Sequence, residues 1–244
     1  MVKRILRIAA TQGDTGEAGN RCLIIDDSLL AKTGRRMEFV GRLWDHVGHR
    51  SLLGLRLLLL CYCDGKSTFP VDFSIHRERG KNEKKPKGVA RRHLKGQYKK
   101  CRNEDSEGHQ RAMEVDGSKA DIGIQMIKRA LRYLKVDYVL TDSWFTSERM
   151  IVCVLGHIEQ KVNLIGTMKM GKARYEYKGR MYDAQGLLKS VKRTQGIKRR
   201  REIKSAYIIV NVRYKIIRLD STSAGSVKTG NGAFCYPLTD HLAT

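Results

Sequence analysis

The sequence predicts an α/β protein in which a β-sheet carries helices on its face. Three patterns support this fold class: short apolar runs that end at turn signals, one segment in which apolar and polar residues alternate, and one long segment with apolar residues three and four positions apart. They occur in the order strand, strand, helix, strand, which is typical of a sheet covered by helices. With 244 residues, the chain can bury a full core in one or two domains.

The N-terminal half supplies three predicted strands. Residues 1–21 show no clear periodicity and are expected to be poorly ordered, whereas residues 23–26 predict a short apolar strand, followed by a loop over residues 28–36. Residues 52–64 are strongly apolar and end in an Asp-Gly turn signal, and residues 68–76 alternate apolar and polar side chains. The last two segments therefore predict an antiparallel hairpin, beside which the first strand can pair.

The clearest helix is predicted for residues 119–135, where apolar residues recur every three or four positions and define one face. A strand is predicted next, at residues 137–142, followed by a helix at 147–160 and a strand at 162–168. Residues 206–219 alternate again and predict one long strand or a strand pair. Helix and strands of this kind belong to a sheet with a helix on its face.

These elements suggest four segments along the chain. Residues 22–161 form the α/β core and residues 162–219 a β-rich region, after the poorly ordered start. Residues 220–244 are rich in Ser, Thr and Gly and show no periodicity. They are expected to form a tail without a closing helix or strand.

Charge is the unusual feature of the composition. Lys and Arg total 48 against 25 acidic residues, which gives a formal net charge of +23. Such an excess favours nucleic acid or an anionic surface as partner. Residues 77–102, called the basic arm below, and a second block at residues 192–204 concentrate this charge. The basic arm is expected to contact a phosphate backbone or, alternatively, to be a solvated loop.

The sequence argues against a membrane or secreted setting. No apolar run approaches the roughly 20 residues that a transmembrane helix needs. The six cysteines form no Cys-x-x-Cys pair, and free thiols are typical of a reducing compartment. We therefore expect a cytoplasmic protein with no membrane partner.

Two short segments share one design, an apolar strand that ends in a carboxylate. Leu-Ile-Ile runs into Asp26 and Asp27, and Tyr-Val-Leu-Thr runs into Asp142. Because α/β sheets bind ligands at the carboxyl ends of their strands, neighbouring strands would bring such carboxylates together. Close carboxylates repel each other unless a cation lies between them, and Mg²⁺ prefers carboxylate, water and phosphate oxygens. The pattern predicts a metal site for phosphodiester chemistry; alternatively, Asp142 caps the turn that follows it.

The residues around these acids are similar to a known family. Ile-Asp-Asp-Ser-Leu-Leu-Ala-Lys-Thr-Gly at positions 25–34 and Val-Leu-Thr-Asp-Ser-Trp-Phe-Thr-Ser at positions 139–147 resemble the first and second acidic motifs of DDE transposases of the IS4-like group. Trp-Asp-His at 44–46, Cys-Asp-Gly at 63–65 and Phe-Pro-Val-Asp at 69–72 look like the hairpin that follows the first acid in that family. The resemblance covers roughly residues 23–219.

The resemblance implies an RNase H-like mixed sheet. In the family, two Asp and one Glu bind two Mg²⁺ (or Mn²⁺) ions and cut and join DNA ends during transposition of an insertion sequence. Asp26 matches the first catalytic, metal-binding acid and Asp142 the second; Asp27 is the neighbouring alternative that strand alternation should turn away. Residues 162–219 match a β-rich insertion after the second acidic motif. The implied partners are transposon-end and target DNA, in a nucleoid-associated setting, and a second copy of the chain on that DNA.

The third acid has no clear match. The family places a Glu within a Tyr-x₂-Arg-x₃-Glu-x₆-Lys signature on a late helix, and the partial match at Tyr177 and Arg180 has Ala184 in the Glu position. The acids after residue 219 are Asp220 and Asp240. Together with the change in composition near residue 220, this predicts an incomplete copy, as after a frameshift or truncation. A non-enzymatic basic DNA-binding remnant and another RNase H-like nuclease remain alternatives.

Basic side chains in three clusters are the predicted DNA contacts. They follow the first acidic motif, lie in the basic arm or lie in the second basic block, and each could instead be a solvated surface charge. They are Lys32, Arg35, Arg36, Arg91, Arg92, Lys95, Arg199, Arg200 and Arg201. Trp144 and Phe145 either stack on a DNA end or anchor the strand–helix junction in the core.

Overall fold

The structure of the protein, a computed structural model, describes residues 21–65, 67–156, 162–167, 175–177, 179–194, 207–217 and 227–237. It is a mixed α/β protein whose main sheet contains both parallel and antiparallel strands and is flanked by helices, which confirms the predicted fold class at this level. The chain divides into two compact units. Among the described residues, the first unit holds 25–134, and the second holds 21–24 together with everything from Lys135 onward.

Four strands account for the sheet of the first unit. Strand β1 (Cys22–Ala31) starts in the second unit and continues in the first, where it lies beside β3 (Arg50–Cys63). The beginning of β3 pairs with β2 (Gly41–Asp45) and its end pairs with β4 (Thr68–His76), both antiparallel. The predicted hairpin and its neighbour β1 are therefore confirmed, whereas the predicted loop over residues 28–36 is wrong at its start because β1 runs on to Ala31.

Glycine at position 54 allows the backbones of β1 and β3 to approach closely. A Cβ atom at Gly54 would lie 2.4 Å from the carbonyl oxygen of Leu30, which is too close for any side chain. Just beyond β1, the Lys32 amide donates to the Leu53 carbonyl at 2.8 Å. This contact fixes the start of the basic segment that follows β1.

Three helices complete the first unit. They are α1 (Arg91–Lys95), α2 (Glu107–Glu114) and α3 (Lys119–Leu131). Helix α3 begins after Ser118, whose hydroxyl accepts the Asp121 amide, and packs an apolar face against β3 and β4. It ends earlier than the predicted residue 135, after a last turn that carries Lys128 and Arg129.

The second unit is organised around parallel strands. Its elements after the start of β1 are β5 (Tyr138–Thr141), α4 (Glu148–Leu155), β6 (Asn163–Thr167), β7 (Tyr175–Tyr177), β8 (Arg180–Tyr182), α5 (Ala184–Thr194), β9 (Tyr207–Ile217) and β10 (Val227–Pro237). Its sheet order runs from the start of β1 through β5, β6 and β10 to β9; β5 with β6 and β6 with β10 are parallel, and β10 with β9 is antiparallel. The Arg21 carbonyl accepts the amides of Asp137 and Tyr138, so the beginnings of β1 and β5 are joined. A separate hairpin consists of β7 and β8.

Strand β10 contradicts the expectation that residues 220–244 contain no regular element. It pairs with β9 from Val227 to Pro237 and with β6 from Ala233 to Cys235. Its Thr-Gly-Asn-Gly sequence lacks apolar alternation, so only pairing with its neighbours indicates a strand here. Helix α5 was not predicted either. The sequence-based segment boundaries at residues 161 and 219 remain predictions.

In the part of the chain that the structure describes, no helix is long and apolar enough to cross a membrane.

Candidate functional site

Asp26, the predicted first acid, lies on β1 with its side chain exposed. The buried residues Leu23 and Ile25 alternate with it, so Asp26 is on the opposite face of the strand from the core. One carboxylate oxygen, Oδ1, accepts the backbone amide of Asp27 at 2.8 Å. Asp26 thus presents a carboxylate to solvent from a strand whose other face is anchored.

Asp27, the neighbouring alternative, has a different environment. Its side chain is only 14% exposed and forms ion pairs with Arg56, at 3.5 Å, and with Lys119. Two cations already neutralise this carboxylate, so a metal ion would have to displace them. Of the two adjacent acids, Asp26 is the more exposed to solvent, and the two side chains leave opposite faces of the strand.

Asp142, the predicted second acid, follows directly after β5 and is exposed. Its Oδ1 atom accepts the amides of Trp144 and Phe145, each at 3.0 Å. The capping role considered as an alternative is therefore present. It occupies one carboxylate oxygen and fixes the orientation of the group, and the second oxygen, Oδ2, remains for a cation.

The residues after Asp142 fix the turn that carries it. Thr146 donates its amide and its hydroxyl to the Asp142 carbonyl, at 3.0 and 2.6 Å. Ser147 then accepts the Met150 amide and caps α4. Phe145 is fully buried, whereas Trp144 is 56% exposed, so Phe145 anchors the junction and Trp144 faces solvent.

These carboxylates fit Mg²⁺ in donor type. Mg²⁺ is commonly held by one or two carboxylates while water and substrate phosphates complete its coordination. Asp26 lies in the first unit and Asp142 in the second. In the described ranges, no three His, Cys, Asp or Glu side chains lie together as a ready-made metal cluster.

The position that aligns with the family's third acid is occupied by core. Ala184 begins α5 and is 2% exposed, and Leu187 on the next turn is equally buried. A carboxylate at position 184 would be taken out of water, so this position serves packing.

A basic groove lies in the first unit, where the segment after β1 meets β2 and the basic arm. This cavity of about 390 Å³ is lined by the cations Lys32, Arg35, Arg42 and Lys85, together with His93. Its remaining lining residues are uncharged, so none of the described residues around it is acidic. The groove brings together two predicted DNA contacts, Lys32 and Arg35, with the basic arm.

Backbone contacts fasten the basic arm to the segment 36–42. The Arg42 amide donates to the Lys87 carbonyl at 2.9 Å, and the Tyr98 amide donates to the Arg36 carbonyl at 2.7 Å. Gly88 adopts a φ of +69°, and a Cβ atom there would lie 2.7 Å from the Cβ of Arg42. Glycine is therefore required at position 88, where the arm passes over β2. The shape of the groove is thus fixed by backbone contacts within the unit.

Several cations of the arm are neutralised within the protein. Arg77 and Lys87 both bind Asp116, and the hydrogen bond from Arg77 is the main reason why the pKa of Asp116 falls well below its usual range. Arg102 binds Glu38 at 2.5 Å and lowers the pKa of that carboxyl. These cations hold the arm in place, whereas the cations of the basic groove face a space without acids.

The other predicted DNA contacts lie outside the groove or outside the described residues. Arg91, Arg92 and Lys95 are exposed on α1, and Arg91 donates to the Glu83 carbonyl at 3.2 Å. Arg36 is exposed. Arg199, Arg200 and Arg201 fall outside the described residues.

Sequence reasoning missed Arg42, Lys85 and His93. Arg42 lies on β2, a short strand that was not predicted. Alternation along β2 could have identified Arg42 as an exposed cation, because Gly41 and Leu43 on either side of it are buried. Lys85 and His93 were part of the predicted basic arm but were not singled out within it.

Comparisons with known proteins give no assignment. No protein-family model matches the sequence, and no curated protein matches it significantly. Any functional conclusion therefore rests on the chemistry of the basic groove and of the two exposed acids.

Proposed function

We propose that this chain is a DNA-binding protein of the DDE transposase type and that the basic groove holds the DNA backbone. The observation that carries the proposal is the grouping of Lys32, Arg35, Arg42 and Lys85 around a space with no acidic lining. Lys and Arg are the side chains that neutralise phosphates, and a net charge of +23 attracts a polyanion from a distance.

The cations of the groove are suited to contacts with DNA phosphates and not to recognition of individual bases. Its cations come from the end of β1, from β2 and from the basic arm, and backbone hydrogen bonds hold these segments together. Contacts of this kind fix position on the duplex but carry no sequence information. We expect DNA of any sequence to bind, as the contacts are made to the backbone.

Binding of a fluorescent DNA duplex, measured by anisotropy across a salt series, tests the proposal. Each neutralised phosphate releases counterions, so log K should fall linearly with log salt, with a slope of about −0.9 per contact. Phosphate contacts from four groove cations should give a slope of about −3 or steeper. Affinity that barely changes between low and high salt would contradict backbone binding.

Metal-dependent strand cleavage is the second part of the proposal. It is supported by the resemblance of the two acidic motifs and by the exposed carboxylates of Asp26 and Asp142. Such carboxylates would hold Mg²⁺, and a pair of these ions would supply activation of the attacking oxygen and charge stabilisation at the leaving oxygen. Asp142 is oriented for this role by the amides of Trp144 and Phe145, and Asp26 by the amide of Asp27.

Metal binding at Asp142 can be measured without any activity. In a Trp44→Phe background, Trp144 is the remaining tryptophan, and its amide bonds the Asp142 carboxylate. Paramagnetic Mn²⁺ bound there should quench its fluorescence, and Asp142→Asn should weaken the apparent affinity by at least about tenfold, because a charged ligand is lost.

Asp183→Asn is the matched control for this experiment. Asp183 is also exposed and also caps a helix, since its Oδ1 accepts the Gly186 amide at 2.7 Å. Quenching should be the same in this variant as in the parent protein. If Asp142→Asn leaves the Mn²⁺ titration unchanged, Asp142 is a turn cap and the metal part of the proposal fails, whereas the DNA-binding part stands on its own experiment.

A further inference from the structure

A second cavity in the first unit lies at the N-terminus of α3. It measures about 400 Å³ and is lined by residues of β3, β4 and the start of the helix, among them Arg56, His76, Arg79, Ser118 and Lys119. Neither the acidic motifs nor the basic groove includes any of these residues. The proposed DNA-binding and metal-binding roles therefore do not account for this cavity.

Buried polar atoms without hydrogen-bond partners are concentrated here. In the described part of the chain, the two ring nitrogens of His76 are such atoms. Arg56 Nε also lacks a hydrogen bond but lies 3.5 Å from Asp27 Oδ2 in an ion pair, and both residues line this cavity. His76 is 2% exposed, and although the main chain of Gly117 approaches the ring, the contact does not have hydrogen-bond geometry. Folded proteins rarely leave such groups unsatisfied, and those that remain often mark a place where a ligand or ion binds.

The charges around the cavity favour an anion. Its lining holds four cations against two carboxylates. Three of these cations already have carboxylate partners: Arg56 binds Glu78 at 3.0 Å and Asp27 at 3.5 Å, Arg77 binds Asp116 at 2.7 Å, and Lys119 binds Asp27. With Asp27 included, four cations stand against three carboxylates, which leaves the charge of Arg79 in excess. Arg79 is exposed at the cavity, where its charge can meet a ligand that enters.

The helix adds a second source of positive potential. Helix α3 has 13 residues, and its first turn points its backbone amides and the positive end of its dipole toward the N-terminus. The Ser118 hydroxyl accepts one of these amides, that of Asp121, at 3.4 Å. Helix, guanidinium groups and imidazole therefore converge on one cavity.

We propose that this cavity binds a phosphate group, held by the N-terminus of α3 with Arg56, Arg79 and His76. The phosphate can come from a DNA backbone or from a small phosphate ligand, and both present the same oxygens to these donors. The cavity shares no lining residue with the basic groove. Inorganic phosphate alone can therefore probe it separately from DNA binding in the groove.

His76 provides the readout. Burial lowers the pKa of its imidazole, and the neighbouring charges are Lys119, which lowers it further, and Glu114 and Asp27, which raise it. A bound phosphate would add a negative charge next to the ring and favour its protonated form. The pKa of His76 should therefore rise when phosphate binds.

The experiment is a histidine NMR titration of the full chain at constant ionic strength, with inorganic phosphate replacing chloride. The chain has seven histidines, and His76→Gln identifies the relevant resonance. We expect a saturable shift of that resonance and an upward shift of its pKa. Arg79→Ala, an exposed and therefore well-tolerated change, should weaken phosphate affinity by about five- to tenfold, the effect of one charge-assisted hydrogen bond.

Arg35→Ala is the matched control, since it removes an arginine from the basic groove and should leave the phosphate titration unchanged. A short DNA duplex in place of phosphate separates the two sources. If the duplex also shifts His76 and competes with phosphate, the ligand is a backbone phosphate; if only inorganic phosphate shifts it, the ligand is a small phosphate compound. No saturable shift with either probe, or equal affinity in Arg79→Ala, would overturn the proposal, even where DNA binding through the basic groove is intact.

Discussion

Replacing both Lys32 and Arg35 with alanine is expected to weaken DNA binding by about 10- to 100-fold at moderate salt. Each side chain contributes one cation to a space without acidic lining, and a lost phosphate contact costs on the order of 1 kcal/mol or roughly fivefold in affinity. The slope of log K against log salt should become shallower by about two, since two contacts no longer release counterions. Anisotropy titrations over a salt series measure both quantities.

A double variant of equal charge separates local contact from general attraction. Lys128 and Arg132 are exposed on α3 and just after it, and neither lines the basic groove. Lys128→Ala with Arg132→Ala removes the same two charges and should change affinity by less than about threefold, as expected for a long-range effect alone. Equal losses in the two double variants would mean that net charge, and not the groove, governs binding.

Local pattern was enough to predict the elements whose burial alternates or repeats. Residues 68–76 alternate apolar and polar side chains, and β4 has those bounds. The start of α3 was also predicted, because Ser118 caps it and its apolar face has helical spacing. In these segments the same residues determine both the local conformation and the packing.

Elements that depend on partners distant in the chain could not be predicted. β2 is only five residues long and exists because it pairs with the start of β3, and β10 is held between β6 and β9 despite its glycines. The basic groove has the same origin. Lys32 and Lys85 lie far apart in sequence, and the hydrogen bond from Arg42 to Lys87 with the turn at Gly88 is what brings the arm to β2.

The acidic motifs show both the strength and the limit of reasoning from sequence. Alternation along β1 indicated that Asp26 and Asp27 point to opposite faces, and the ion pairs of Asp27 with Arg56 and Lys119 give it a structural role. Pattern could not decide whether Asp142 caps a turn or binds a cation. The structure places one of its oxygens in a cap, and the other is the atom that the Mn²⁺ titration addresses.

Phe145→Ala is expected to lower the free energy of unfolding by about 3–5 kcal/mol, the cost of removing a large side chain from a tightly packed core. Phe145 is fully buried, whereas its neighbour Trp144 is 56% exposed. Trp144→Ala should therefore change stability by no more than about 0.5 kcal/mol. Urea unfolding followed by circular dichroism measures both variants, and Phe145→Leu should fall between them.

The contrast between these two variants decides what the aromatic pair does. The Phe145 amide that bonds Asp142 is retained in Phe145→Ala, so the expected loss of stability reports packing of the ring alone. A loss below about 1 kcal/mol would mean that the ring is not part of the core. DNA binding of Trp144→Ala tests the stacking role. If this variant binds DNA more weakly while its stability is unchanged, the exposed ring of Trp144 stacks on DNA beside Asp142, and Phe145 has no such role.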